Sequence, residues 1–184
     1  GKQVLSVGRL VKRKGFIHLI DSFNLVQQEI PDATLIIVGN GPDYDLLVNQ
    51  ISTLGLTDSI TIFQNIDDNE LTKLYAESSL FVLANLLLDN GDCEGAPNSI
   101  VEAASFGLPV IAGVEGGTSD VVENGVTGYL INPKNHKILS DSIITLLQDN
   151  SMRESLSNNS IKRVFTHHNQ ADAGAIFAKI IKTL

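Results

Sequence analysis

Apolar positions along the chain fall into two alternating periods. Gln3–Val7 reads as a buried strand that ends in Gly8-Arg9. Over residues 14–30 the apolar side chains Phe16, Leu19, Ile20, Phe23, Val26 and Ile30 recur at helical spacing. Asp21, Asn24, Gln27 and Gln28 occupy the opposite face, and Pro31-Asp32 stops the helix. Residues 33–38 form a continuous apolar strand closed by Gly39-Asn40-Gly41-Pro42. The same grammar predicts a helix over 43–54 capped by Gly55, a strand over 59–63, a short helix over 70–77 and a fourth strand at Leu80–Leu83. A helix over 98–106 has Pro97 just inside its start and Gly107 past its end, the expected asymmetry. A fifth strand over 108–112 and a short sixth at Gly128–Ile131 follow. Helices over 136–147, 152–163 and 171–181 complete the pattern.

Buried strands that alternate with amphipathic helices pair in parallel, because each crossover must return over a face of the sheet. The expected fold is therefore α/β: a doubly wound, Rossmann-like parallel sheet with helices on both faces. Nothing reads as a repeat, a low-complexity tract or a linker, so residues 1–184 are expected to form one domain. Ligands of such sheets bind outside the carboxyl ends of the strands. The loops there are 8–15, 39–42, 64–69, 84–97 and 113–120, and function is sought in them.

Composition narrows the classes. With 13 Lys and Arg against 21 Asp and Glu, the formal charge is −8, the wrong sign for a duplex-binding surface, so no nucleic acid partner is expected. A chain of 184 residues, 43% hydrophobic, buries enough surface to fold without staples. Its single cysteine excludes an internal disulfide and a cysteine-rich zinc site. The longest apolar run, 80–88, is about half the ~18 residues of a spanning helix and is broken by Asn85, so no transmembrane segment is expected. No signal-peptide pattern precedes the first strand. The expectation is a soluble chain in a reducing, cytoplasmic compartment.

Three loops carry candidate chemistry. The first, Gly8-Arg-Leu-Val-Lys-Arg-Lys-Gly15, concentrates four of the 13 basic residues at the end of strand one. Arg9 and Lys14 bracket it, so a guanidinium fork and an ammonium can converge on one anion; the alternative is a solvated basic loop before a helix. The second cluster is Glu94-Gly95-Ala96-Pro97-Asn98-Ser99-Ile100-Val-Glu102. Its Asn98, Ser99 and Ile100 amides open a helix, where free donors hold phosphate. Glu102 leans back toward that end and suits neutral hydroxyls such as a ribose diol; the alternative is a charge on a solvated helix face. The third loop carries Gly116-Gly117, which permits close backbone approach and can wall the same cleft.

Other conspicuous residues have plain readings. Cys93 has no basic neighbour in its local sequence to activate it and reads as an inert loop thiol. His167-His168 diverge on a helix with no third ligand, while His18 and His136 read as surface positions. Asp67-Asp68 and Asp89/Asp92 lack a regular cation spacing.

Taken in order, these pieces resemble the C-terminal, donor-binding domain of retaining glycosyltransferases of GT-B architecture, in glycosyltransferase family 4. The matching pieces are Gly8-Arg9 through Lys14-Gly15, then Gly39-Asn40-Gly41-Pro42, then Glu94 and Glu102 with seven residues between. Gly-Leu-Pro-Val at 107–110, Gly116-Gly117, Asn124-Gly125 and Thr127-Gly128 follow, ahead of Pro133. The match runs from about residue 4 to residue 133.

The resemblance implies a nucleotide-sugar donor, UDP- or GDP-linked, as substrate, with no cofactor and no metal. It implies that Arg9 and Lys14, beside Gly8, neutralise the diphosphate as it departs. Glu94 would orient the donor sugar's hydroxyls, the 95–98 backbone would contact that sugar, and the Ser99 and Ile100 amides the phosphate. Glu102 would bind the ribose, and the base would lie near residues 64–66. The implied reaction moves a hexose, with retention, to a glycan or lipid-linked acceptor. It implies an N-terminal acceptor domain absent from this chain, a crossover helix within 169–184, and peripheral placement at the inner face of a membrane for the full-length protein.

The chain departs from the family's frequent residues in three places. Ala84-Asn85 stands for Pro-Ser, Ser119-Asp120 for Pro-Glu, and the loop 86–93 is long and acidic. Two other classes stay open. One is a sugar-nucleotide epimerase or hydrolase of the same architecture, and the other a non-catalytic α/β nucleotide-binding module.

Overall fold

The computed structural model describes residues 1–167. The helix expected over 171–181, the crossover assigned to 169–184 and His168 lie outside the described residues. The elements are β1 (Gln3–Val7), α1 (Phe16–Glu29), β2 (Thr34–Val38), α2 (Tyr44–Thr53), β3 (Ile60–Phe63), α3 (Asp68–Glu77), β4 (Leu80–Leu83), α4 (Asn98–Ser105), β5 (Val110–Gly113), β6 (Gly128–Ile131), α5 (His136–Gln148) and α6 (Asn150–His167). Short 3-10 turns occupy Lys12–Lys14 and Gly117–Asp120.

All six strands are parallel, in the order β3-β2-β1-β4-β5-β6. The order reverses between β1 and β4, which pair at Val4–Leu80 and Leu5–Phe81. The loops leaving these two strands therefore diverge from neighbouring points and leave a crevice at the carboxyl edge of the sheet.

Strand periodicity divides the core. Along β4, Leu80 and Val82 face one apolar layer while Phe81 and Leu83 face the other, as a period of two requires. The first layer packs the sheet against α1, α2 and α5 through Leu19, Phe23, Leu47 and Ile143. The second packs it against α3 and α4 through Tyr75, Ile100 and Ala103. Helices thus cover both faces, and a strand buried on both sides reads as a continuous apolar run.

Several boundaries shift from the sequence expectation, and two of the shifts have a local cause. The α1 helix begins at Phe16, because Gly15 before it is left-handed at φ 66°, which leaves Lys14 in the preceding turn. The α3 helix begins at Asp68, because Asp67 caps it: its carboxylate accepts from the Asn69 and Glu70 amides, and Glu70 returns a bond to Asp67 N–H. Asp67 and Glu70 thus form a capping box, which accounts for the first acid of the Asp67-Asp68 pair.

His18 and His136, expected at the surface, instead join α1 to α5. Their Nδ1 and Nε2 atoms lie 3.0 Å apart, both rings are only partly exposed, and Asp21 Oδ2 is 3.9 Å from His136 Nε2. Burial, then the neighbouring His136, lowers the His18 pKa against the opposing pull of Asp21; Lys134 also lowers it. The unfolded chain therefore binds more protons than the folded one just below the ordinary value of 6.5, and stability falls as the pH drops through it. A His18→Gln variant is expected to lose less melting temperature than the parent between about pH 7 and pH 5.5, a window above the carboxylate range. Parallel melting curves over that window check the expectation.

Candidate functional site

The first wall of the crevice is the loop after β1. Gly8 N–H donates to Val38 O at 2.9 Å and Leu10 N–H to Asn40 O at 2.9 Å, which ties the loop to the end of β2. Leu10 is fully buried and anchors it. The 3-10 turn then brings Gly15 so close to β4 that a Cβ there would lie 1.7 Å from Ala84 O. Leu86 N–H closes the seam by donating to Arg13 O at 2.8 Å.

This turn carries Lys14 inward. Its stem lies against Gly8, where a Cβ would sit 3.3 Å from Lys14 Cε, and the residue is 8% exposed. Its Nζ donates to Glu94 Oε2 at 2.9 Å. Glu94 Oε1 accepts from Arg13 Nε at 2.6 Å, and Arg13 also reaches Asp92 Oδ2 at 3.2 Å. Burial alone would raise the Glu94 carboxyl, but hydrogen bonds from Lys14 and Arg13, with their charges, outweigh it and hold Glu94 below the usual carboxylate range. The same bonds to Glu94 and Asp92 hold the Arg13 guanidinium more firmly protonated.

The guanidinium that shares Glu94 with Lys14 is Arg13's. Arg9 is exposed at the end of β1, where it is open to a ligand. Arg13 was legible only as one member of a basic run, since its partner Glu94 lies 81 positions away.

The second wall is the segment leading into α4. Asn98 and Ser99, the first two helical residues, have no backbone acceptor for their amides among the described residues. The Ile100 amide differs. It donates to Pro97 O at 3.0 Å, so it is already satisfied, and the Ile100 side chain is fully buried in the core. The tight first turn, bonding three residues back, takes up this expected donor. Gly95 and Ala96 are exposed between Glu94 and the helix.

Glu102 is only partly exposed, and its Oε2 accepts from Tyr75 Oη at 2.9 Å. Burial, then the Glu102 charge, pushes the Tyr75 phenol well above its ordinary value, so it remains a donor. Tyr75 in turn stacks on Phe106, ring centroids 5.2 Å apart. Nothing in the local sequence linked Tyr75 to Glu102; the partnership depends on α3 and α4 sharing one face of the sheet. Tyr75→Phe is expected to cost about 1 kcal/mol of stability and to free the Glu102 rotamer. Denaturant titration checks the effect on stability.

The glycine-dense loop after β5 closes the crevice from the far side. Gly117 N–H donates to Glu94 O at 3.1 Å. Gly116 takes φ 78°, and a Cβ on it would lie 2.2 Å from Glu94 O, so glycine is needed on both counts. Asn85 is fully buried. Its amide donates to Glu115 O at 2.9 Å and its oxygen accepts from Gly113 N–H at 3.0 Å. Asn85 thus stitches the β4 loop to the β5 loop. Its sequence signal was its position as the polar break in the 80–88 run.

At the β3 end, Asn65 adopts φ 55° and accepts from Asn40 Nδ2 at 2.9 Å. A cavity of about 250 Å³ beside it is lined by Phe63, Ile66 and Leu74 with Glu70, Lys73 and Glu77. A second, of about 300 Å³, lies among Val11, Lys12, Arg13, Pro42, Leu88 and Asp92. Cys93 is a free, exposed thiol. Among the described residues, no helix is long and apolar enough to cross a membrane.

Comparison with known proteins bears on the family and the fold. Residues 1–163 match the family model for glycosyl transferases group 1. A GDP-mannose-dependent alpha-(1-6)-phosphatidylinositol monomannoside mannosyltransferase of Mycolicibacterium smegmatis is 31% identical over 147 residues, 79% of this chain and 38% of that protein. Among solved structures, the C-terminal domain of the glycosyl transferase group 1 protein LpcC from Francisella tularensis superposes with a TM-score of 0.80 at 25% identity, over 92% of this chain and 88% of that one. Anabaena HepE, solved in complex with UDP and glucose, superposes with a TM-score of 0.81 at 26% identity, over the whole of this chain and 49% of that one. The chain thus spans about two fifths of the mycobacterial relative and half of HepE.

Proposed function

The chain belongs to the group 1 glycosyl transferases, and from that premise we propose that it is the donor-binding half of an enzyme transferring a hexose from a nucleotide-sugar to a glycan or lipid-linked acceptor. The observation that carries the reading is the meeting of Lys14 and Glu94, 2.9 Å apart across the point where the strand order reverses, beside the free amides of α4. Cation, carboxylate and amides there suit a ligand that is anionic at one end and hydroxylated at the other.

In this reading Lys14, Arg9 and the Asn98 and Ser99 amides face the diphosphate. As the bond from sugar to phosphate oxygen breaks, negative charge grows on that oxygen, and donors already aimed at it need no reorganisation. Positive charge is assigned to protein groups, with no metal or other cofactor. Glu94 orients the hydroxyls of the sugar, whose carbon gains oxocarbenium character, and the 95–98 backbone lines that subsite. Glu102, held by Tyr75, takes the ribose, and the segment 64–66 lies beside the base. Retention and an acceptor carried by an N-terminal domain belong to the same proposal. So does a cytoplasmic protein peripheral to the membrane, supported by the lipid acceptor in the mycobacterial relative's name.

A melting series with UDP, GDP and ADP tests it. A ligand at a hundredfold excess over its Kd adds about 2.7 kcal/mol, so the matching nucleotide is expected to raise the midpoint by roughly 5–10 °C. No shift with any of the three would favour a non-catalytic module.

A further inference from the structure

The structure shows a carboxylate already occupying Lys14, a cation assigned to the diphosphate. Both oxygens of Glu94 are engaged, Oε1 by Arg13 at 2.6 Å and Oε2 by Lys14 at 2.9 Å, and the two interior side chains, Lys14 and Glu94, are 10% and 11% exposed. Arg13 extends the contact to Asp92 at 3.2 Å, and Asp92 belongs to a turn in which Leu88 N–H donates to Asp92 O and Asp92 N–H to Asn90 Oδ1. A phosphate drawn to Lys14 would meet the Glu94 charge at close range, and like charges sharing one site cannot both be fully stabilised. Resting on the function proposed above, the geometry points to an internal latch: Glu94 competes with the donor's diphosphate for Lys14, and Arg13 is the positioning residue that receives Glu94 and couples its release to the loop 86–93.

Three consequences follow from the arrangement. Glu94 is passed from cation to sugar hydroxyl only when phosphate has taken Lys14, so the sugar contact forms in step with diphosphate binding. Removing the Glu94 charge frees Lys14 and tightens binding of a nucleoside diphosphate that carries no sugar. The rearrangement is felt at Cys93, which lies between Asp92 and Glu94 and is the chain's single cysteine, exposed and free.

The test is a calorimetric titration of UDP and GDP into the chain, its Glu94→Gln variant and its Asp89→Asn variant. Asp89→Asn removes one exposed carboxylate from the same loop without touching the latch. Glu94→Gln is expected to bind the nucleotide about tenfold tighter and Asp89→Asn to change affinity less than twofold. A fluorophore on Cys93 supplies the second readout: its emission is expected to shift with nucleotide in the parent, and an Arg13→Gln variant to lose most of that shift while still binding. Equal affinity of Glu94→Gln and parent, or a Cys93 probe silent while calorimetry records binding, would overturn the latch and leave the function standing. Absence of binding by the parent to UDP and GDP, and to ADP titrated alongside them, would overturn both.

Discussion

Lys14→Ala is expected to weaken nucleoside diphosphate binding by roughly 10–100-fold, the worth of one charge-assisted hydrogen bond at about 1.5–3 kcal/mol. The effect should stand out because Lys14 is nearly enclosed and its position is imposed by Gly8 beneath it and Glu94 before it. A pre-positioned ammonium loses little entropy on binding. The fold itself should tolerate the change, since Glu94 keeps its 2.6 Å bond to Arg13 and is not left as an unpaired buried charge. Lys14→Met retains the stem against Gly8 and separates packing from charge. Both variants should bind weakly and melt close to the parent, by calorimetry and thermal unfolding respectively. An affinity unchanged in both would remove Lys14 from the site.

The second large effect concerns the backbone. Gly15→Ala is expected to destabilise the domain by about 3 kcal/mol or more, lowering the midpoint by roughly 10 °C. Two independent penalties coincide at this position. Its φ of 66° disfavours any side chain, and the added Cβ would be placed 1.7 Å from Ala84 O, a backbone atom at the end of a fully buried strand. Relief requires moving the β1 loop away from β4, which would separate Lys14 from Glu94. Stability and nucleotide affinity are therefore expected to fall together, in contrast to Lys14→Ala. Unfolding midpoints with and without UDP or GDP distinguish the two patterns. A Gly15→Ala protein with parental stability would contradict the described seam.

What the chain reveals before folding divides along the range of the interactions. The strands were legible because both faces of β1, β2, β4 and β5 are covered, which demands apolar runs. The start of α4 was legible because Pro97 and Gly107 mark its ends. Lys14 and Glu94 could be singled out because they sit on loops that a doubly wound sheet places at one edge, and the fold brings the two charges together. Arg13 could not, because a guanidinium's partner cannot be read from its neighbours when it lies 81 residues away. The Tyr75–Glu102 bond and the Asn85 stitch were hidden for the same reason: each joins elements that meet only after the sheet forms. Local errors had local causes. A left-handed Gly15 shortened α1, a capping aspartate lengthened α3, and a bond to Pro97 O took the Ile100 amide.

The most direct measurement is a crystal structure of this chain with UDP or GDP bound. Phosphate oxygens are expected within hydrogen-bond distance of Lys14 Nζ and of the Asn98 and Ser99 amides, with the ribose on Glu102. A nucleotide seated elsewhere, with its phosphates away from the crevice between the β1 and β4 loops, would contradict the proposed site.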